Sequence, residues 1–211
     1  MKQVLLLGDS IRMFYQKKVA EKLGDEYNVF GPSENCRFAA YTHNTLRHWL
    51  PTFPKPDIIH WNNGLWDTGH FYGEEENGTS LPVYLEYLER IAKILLSTGA
   101  KVFFATTTPV HPNRRVPMGE QRNSEIEMYN KAAFELMNRL GIEVNDLYPL
   151  VAADFDGCIC EDLIHPSEKG IDILSDAVCE KIRSVDVRDV NSGESLEGDN
   201  EEYYANLKDI K

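Results

Sequence analysis

Two short stretches near opposite ends of the chain carry residue types suited to acyl transfer. Gly8-Asp9-Ser10 closes an apolar run, and a helix begins within a few residues. A glycine permits a tight strand exit, and a serine at a helix N-terminus stands among backbone N–H groups that stabilise developing negative charge. That is a suitable place for a nucleophile. Asp9 and Ser10 are equally the residue types that cap helices, so the tripeptide alone carries either meaning. The second stretch is Asp162-Leu163-Ile164-His165-Pro166. An Asp three residues ahead of a His on a turn can bring its carboxylate to the imidazole Nδ1, which fixes the tautomer and leaves Nε2 as a base. Taken alone, it is also what a polar surface loop looks like.

The elements that must position these residues follow from the apolar pattern. Partly β-branched runs at 3–7, 27–30, 57–61, 101–106 and, more weakly, 142–144 predict five strands. Helical spacing fills 14–23, 45–50, 85–96 and 126–140 between them, and 171–182 after the last. Gly24, Gly99 and Gly141 stand where helices should stop, with Lys22, Lys93 and Arg139 in the last turns. This βαβ alternation implies a parallel sheet covered on both faces, and right-handed crossovers narrow it to a doubly wound, flavodoxin-like α/β arrangement. Function then belongs at the carboxyl ends of the strands.

Composition bounds the rest. With 211 residues, 42% of them hydrophobic, the chain has material for one core, read here as a single domain over 1–185. Residues 186–211 hold eight acids and three bases and read as an acidic tail, with Tyr203, Tyr204, Leu207 and Ile210 able to form a short docking helix. The 22 Lys+Arg against 34 Asp+Glu give a net charge of −12, which argues against nucleic acid or an anionic membrane as the main partner. Cys36, Cys158, Cys160 and Cys179 are too scattered for a disulfide scaffold, so a reducing, cytoplasmic setting is expected. Neither a signal-peptide core nor a membrane span is visible.

The pairing of GDS after the first strand with DxxH before the last helix resembles the terminal signature of the SGNH/GDSL hydrolases, over residues 4–183. The resemblance implies Ser10 as nucleophile, His165 as general base and Asp162 as its orienting acid. It also implies a three-layer α/β/α fold and no metal or organic cofactor. The middle blocks depart from the family pattern, as in a divergent branch. Where a G-x-N-D is usual, this chain has Gly64-Leu65-Trp66-Asp67, which puts Trp66 at the oxyanion asparagine. Asn63, just before the glycine, is expected to supply that amide, with Asn62 in reserve, although either could simply tie down the loop. The usual second-block glycine is also missing, and Ala39 or Ala40 is expected to donate the backbone N–H, with Cys36 or Arg37 as alternatives.

Several further features point less sharply. Cys158-x-Cys160 lacks a second pair at zinc-ligand spacing and is read as packing, and Asp154-Phe155-Asp156-Gly157 completes no metal motif. His60 and Trp61 lie within a strand and read as core. Trp66, His70, Phe71 and Tyr72 form either a sugar-stacking wall, an acyl pocket or a cover for the core. The loop after the fourth strand carries His111, Asn113, Arg114, Arg115 and Arg122, which suit a sugar or a carboxylate as well as they suit solvent. The expectation is a serine esterase removing a short acyl group such as acetyl from a carbohydrate or other polar small molecule. An acyltransferase, or a non-catalytic ligand-binding module on the same scaffold, stands as the alternative.

Overall fold

Each apolar run becomes a strand because helices cover both of its faces. The computed structural model describes residues 1–114 and 120–185; the acidic segment 186–211 and Arg115 lie outside the described residues. Strands β1 (Lys2–Leu7), β2 (Tyr27–Phe30), β3 (Ile58–Trp61), β4 (Lys101–Ala105) and β5 (Glu143–Asn145) form one all-parallel sheet in the order β2-β1-β3-β4-β5. The helices are α1 (Ser10–Leu23), α2 (Ala39–Trp49), α3 (Leu81–Ser97), α4 (Asn123–Arg139), α5 (Tyr148–Ala152), α6 (Phe155–Cys158) and α7 (Glu168–Arg183).

Side chains alternate across a strand, and the core divides accordingly. Val4 and Leu6, with Ile58 and Phe103, pack beneath α1 and α7. Leu5 and Leu7, with Ile59, Trp61 and Phe104, pack against α2, α3 and α4. The result is a three-layer α/β/α fold. Truncating one of these fully buried strand residues, as in Leu6→Ala, costs about 2–5 kcal/mol through lost transfer energy and the cavity left behind.

The strand order fixes where a site can form. From β1 the chain crosses to β2 on one side and returns to β3 on the other, so a crevice opens at the carboxyl ends of β1 and β3. Gly8-Asp9-Ser10 leaves β1 there, and Asn62-Asn63-Gly64 leaves β3 beside it. On the far side of α1, the first turn of α7 approaches the end of α6 so closely that a Cβ on Gly170 would lie 2.1 Å from the Cys158 carbonyl oxygen. Only glycine permits this approach, which holds the two ends of the loop 159–167 together, with the Ser167 N–H donating to the Cys158 carbonyl at 2.9 Å.

The structure extends some predicted elements. α1 starts at Ser10 rather than 14, because Asp9 caps it directly. α2 begins at Ala39, six residues ahead of the predicted run. α5 and α6 were not expected, being too short to display a 3.6-residue period. Among the described residues no helix is long and apolar enough to cross a membrane.

Candidate active site

Asp9 turns the chain from strand to helix. Its backbone is extended (φ −76°, ψ −157°), and its Oδ1 accepts the Ile11 N–H at 2.9 Å, an N-cap that leaves Ser10 as the first helical residue. Burial pushes the Asp9 carboxyl up to about 6, against the lowering influence of the Ile11 N–H, Arg12 and His165. Arg12, itself buried, reaches from the next turn to the carbonyls of Gly8, Pro32 and Glu34. It thereby fixes the loop after β2 against the start of α1.

The distant DxxH stretch closes on this serine. Ser10 Oγ lies 2.9 Å from His165 Nε2, and His165 Nδ1 lies 2.6 Å from Asp162 Oδ2. Asp162 Oδ1 accepts the backbone N–H groups of His165 (2.9 Å) and Ile164 (3.0 Å) and the Cys160 thiol (3.1 Å). Burial works to raise the Asp162 carboxyl, but those hydrogen bonds and the imidazole hold it well below the usual carboxylate range. An ionised carboxylate at Nδ1 requires the proton there, which leaves Nε2 to accept the Ser10 O–H.

The turn that makes this possible is braced from both sides. Leu163 sits in the left-handed region (φ 66°), the Cys160 N–H donates to the His165 carbonyl at 2.8 Å, and the His111 N–H donates to the Leu163 carbonyl at 3.0 Å. His111 Nε2 faces Asp156 at 3.0 Å while its Nδ1 accepts the Asn113 N–H at 3.1 Å, so it clamps this loop rather than facing a ligand. Three partners of the Ser10–His165–Asp162 line were therefore missed in the sequence. Cys160, read as packing, bonds Asp162. His111, read as facing either a ligand or solvent, holds the turn. Phe14, given no role, stacks on the His165 ring at 4.8 Å between centroids and 17° between planes.

The middle blocks differ from expectation. Asn63 does not point its amide toward Ser10. It is fully buried, its Nδ2 donates to the Arg37 carbonyl (3.0 Å) and the Thr42 hydroxyl (2.9 Å), and its Oδ1 accepts the Trp61 indole N–H (2.7 Å). Its polar capacity is committed to joining β3 to the start of α2. Asn62, the reserve, donates to the Ala105 carbonyl at 2.9 Å and lies beside Thr107, bracing β3 against β4. Gly64 (φ 149°) passes so close to Thr107 Oγ1 that a Cβ would lie 2.2 Å from it. Trp66 is half-buried, tilted against Phe71.

At the second block, Asp67 decides between the alanines. Its carboxylate, fully buried, accepts the Ala39 N–H at 3.0 Å and 3.2 Å. Burial pushes it up to about 7, against hydrogen bonds from Ala39 and Thr79. Ala40, one residue further into the first turn of α2, keeps an N–H of the kind that has no acceptor inside its helix. Of the alternatives, the Cys36 N–H goes to the Gly8 carbonyl and the Arg37 N–H to Asn35 Oδ1, so both are occupied.

The loop after β3 is tied to α4: His70 Nε2 lies 2.7 Å from Glu125 Oε2, and Asn77 donates to the same oxygen at 3.1 Å. His70 is thus an anchor, whereas Tyr72 projects into solvent. In the loop after β4, Arg114 donates to Gln121 at 2.7 Å and Arg122 faces Glu120 and Glu125. Among the described residues no group of three or more His, Cys, Asp or Glu is arranged to hold a metal ion.

Neither a family model nor a curated protein matches the sequence. Solved structures do match. The acetyl xylan esterase AlAXEase aligns over 85% of this chain and 99% of its own at 16% identity, with a TM-score of 0.72. A lipase/acylhydrolase from Enterococcus faecalis aligns over 87% and 96% at 21% identity, with a TM-score of 0.70. A member of the lipolytic protein G-D-S-L family from Veillonella parvula aligns over 88% and 100% at 15% identity, with a TM-score of 0.68. The chain has the fold of these proteins.

Proposed function

We propose that this chain is a serine esterase of the SGNH/GDSL type, which cleaves a carboxylic ester with Ser10, His165 and Asp162 as its catalytic triad. The observation that carries the reading is the unbroken line from Ser10 Oγ through His165 to Asp162, at 2.9 Å and 2.6 Å, at the carboxyl edge of the sheet. The shared fold with an acetyl xylan esterase and lipolytic proteins supports it.

Ser10 Oγ attacks the ester carbonyl while its proton passes to His165 Nε2, and Asp162 stabilises the imidazolium. The negative oxygen of the tetrahedral intermediate is received by the N–H of Ser10 and that of Ala40, each at the first turn of a helix. His165 returns the proton to the leaving alcohol, and an acyl-serine remains. Water then attacks the acyl carbon, giving its proton to His165, and the carboxylic acid departs as Ser10 recovers the proton. Asn63 and Asn62 take no part in this account, since both amides already serve the frame.

The substrate we infer is a short acyl group, such as acetyl, on a polar alcohol of the carbohydrate kind. Support comes from the openness of the line: the Asp162 side chain is 47% exposed and that of His165 24%. A nucleophile at the surface admits a bulky alcohol. A fluorophosphonate probe followed by peptide mass mapping tests the chemistry, with Ser10 expected as the labelled residue. Comparing acetyl, butyryl and octanoyl esters with acetylated sugars tests the substrate. Absence of label on Ser10 together with no ester cleaved overturns the reading; a preference for octanoyl esters overturns the short-acyl part alone.

A further inference from the structure

We propose that Phe14 is a positioning residue for His165, an aromatic plate that holds the general base in register with Ser10 and stabilises it when it carries the proton. This inference rests on the triad reading above. Phe14 is four residues after Ser10 on α1, hence on the same helix face one turn along, and helical side chains lean back toward the N-terminus. Its ring lies nearly parallel to the imidazole, at 4.8 Å and 17°. The imidazole is then fixed at three places: Nδ1 by Asp162, Nε2 by Ser10, and one face by Phe14.

The two edge contacts alone leave the ring free to swing about the bond to its Cβ whenever the Ser10 contact breaks, as it must during each proton transfer. Phe14 removes that freedom, because rotation would drive the imidazole through the phenyl plane. The stack also acts on energy. Imidazolium is a cation, and an aromatic face attracts a cation more than it attracts a neutral ring. His165 is imidazolium only as the tetrahedral intermediate forms and collapses, so the gain falls on the transition state and raises kcat.

Burial argues the same way. Phe14 is 44% exposed although it is a large apolar side chain on a helix whose inner face is filled by Ile11, Tyr15 and Val19. Its position is not explained by the core. It covers the histidine instead, and its removal leaves no cavity in the packed interior.

The test compares Phe14→Ala, Phe14→Leu and Phe14→Tyr on a short-chain ester, with kcat, KM and melting temperature measured for each, and Ser10→Ala carried in parallel. Ala and Leu should lower kcat about 2- to 10-fold, the range that a partly exposed cation–π contact and a looser base produce together. KM and melting temperature should stay near the parent, and Tyr should restore the rate. Unchanged kcat in Phe14→Ala overturns the proposal. So does Leu performing as well as Phe, which would make bulk sufficient, or a rise in KM alone, which would make Phe14 a substrate wall. Turnover retained by Ser10→Ala would instead remove the triad reading, and the positioning role with it.

Discussion

The Ser10–His165–Asp162 edge and the polar block behind it, around Asn63 and Asp67, are built on opposite plans. At the edge the polar groups are exposed or half-exposed, and Ser10 Oγ and His165 Nε2 bond one another at the open end of the line. In the block the groups are buried and joined to one another: Asn63 to Trp61, Thr42 and Arg37, and Asp67 to Ala39. Buried polar groups must be paired, since an orphaned one costs about 1–3 kcal/mol. A paired group has nothing left to offer a substrate. The lesson is that an amide at the right place in the chain is a candidate donor only if the fold leaves its hydrogens free, and here the fold takes them.

The largest expected effect at the edge is Ser10→Ala, which should abolish ester cleavage and fluorophosphonate labelling while leaving the melting temperature unchanged. Asp162→Asn comes next. It keeps the shape but loses the correct tautomer, and kcat should fall by as much as about 10⁴ in single-turnover or steady-state measurement. A small loss there would show that the exposed carboxylate does little for the base, and the contrast between edge and block would blur.

In the block the prediction reverses. Asn63→Ala should destabilise the protein by about 1–3 kcal/mol in urea unfolding, because the Trp61 N–H and the Arg37 carbonyl lose a buried partner. Turnover per folded molecule should change far less than in Asp162→Asn. A large fall in kcat with unchanged stability would return Asn63 to the oxyanion site.

The smallest effect is a slope with pH. The folded Asp67 value of about 7 lies above its ordinary 3.8. A raised group stabilises the fold fully below the unfolded value, and that contribution is lost as pH rises through about 7. His60 has the opposite sign. Burial pushes it down to about 3, so its contribution is present above about 6.5 and is lost as pH falls. Asp67→Asn should therefore remove a downward contribution to the melting temperature between about pH 4 and 7 and change nothing above about pH 8. An unchanged slope between about pH 4 and 7 would mean that Asp67 is ionised in the fold.

What the sequence disclosed follows the same division. β1 and β4 were legible because their apolar runs are continuous, β5 only weakly because Val144 is its one apolar residue, and the DxxH turn because its partners lie three residues apart. Two of the three partners of Asn63 lie 21 and 26 residues away, in and just before α2, and no local pattern encodes them. Phe14 gave no signal because its partner is His165, at the far end of the chain. Cys160 read as a packing residue, while its bond to Asp162 depends on the turn at Leu163. α5 and α6 escaped because one turn of helix has no periodicity to read.

The contact between α1 and α7 has a consequence for biosynthesis. Ser10 and His165 are separated by 155 residues, and they meet only because the first helix packs along the last. At about 5–20 residues per second, the ribosome makes His165 roughly 8–30 s after Ser10. Throughout that interval Ser10 is an ordinary alcohol on a growing chain. On the proposed triad, reactivity is conferred in one late step, when α7 closes over α1, and a prematurely terminated chain remains chemically silent.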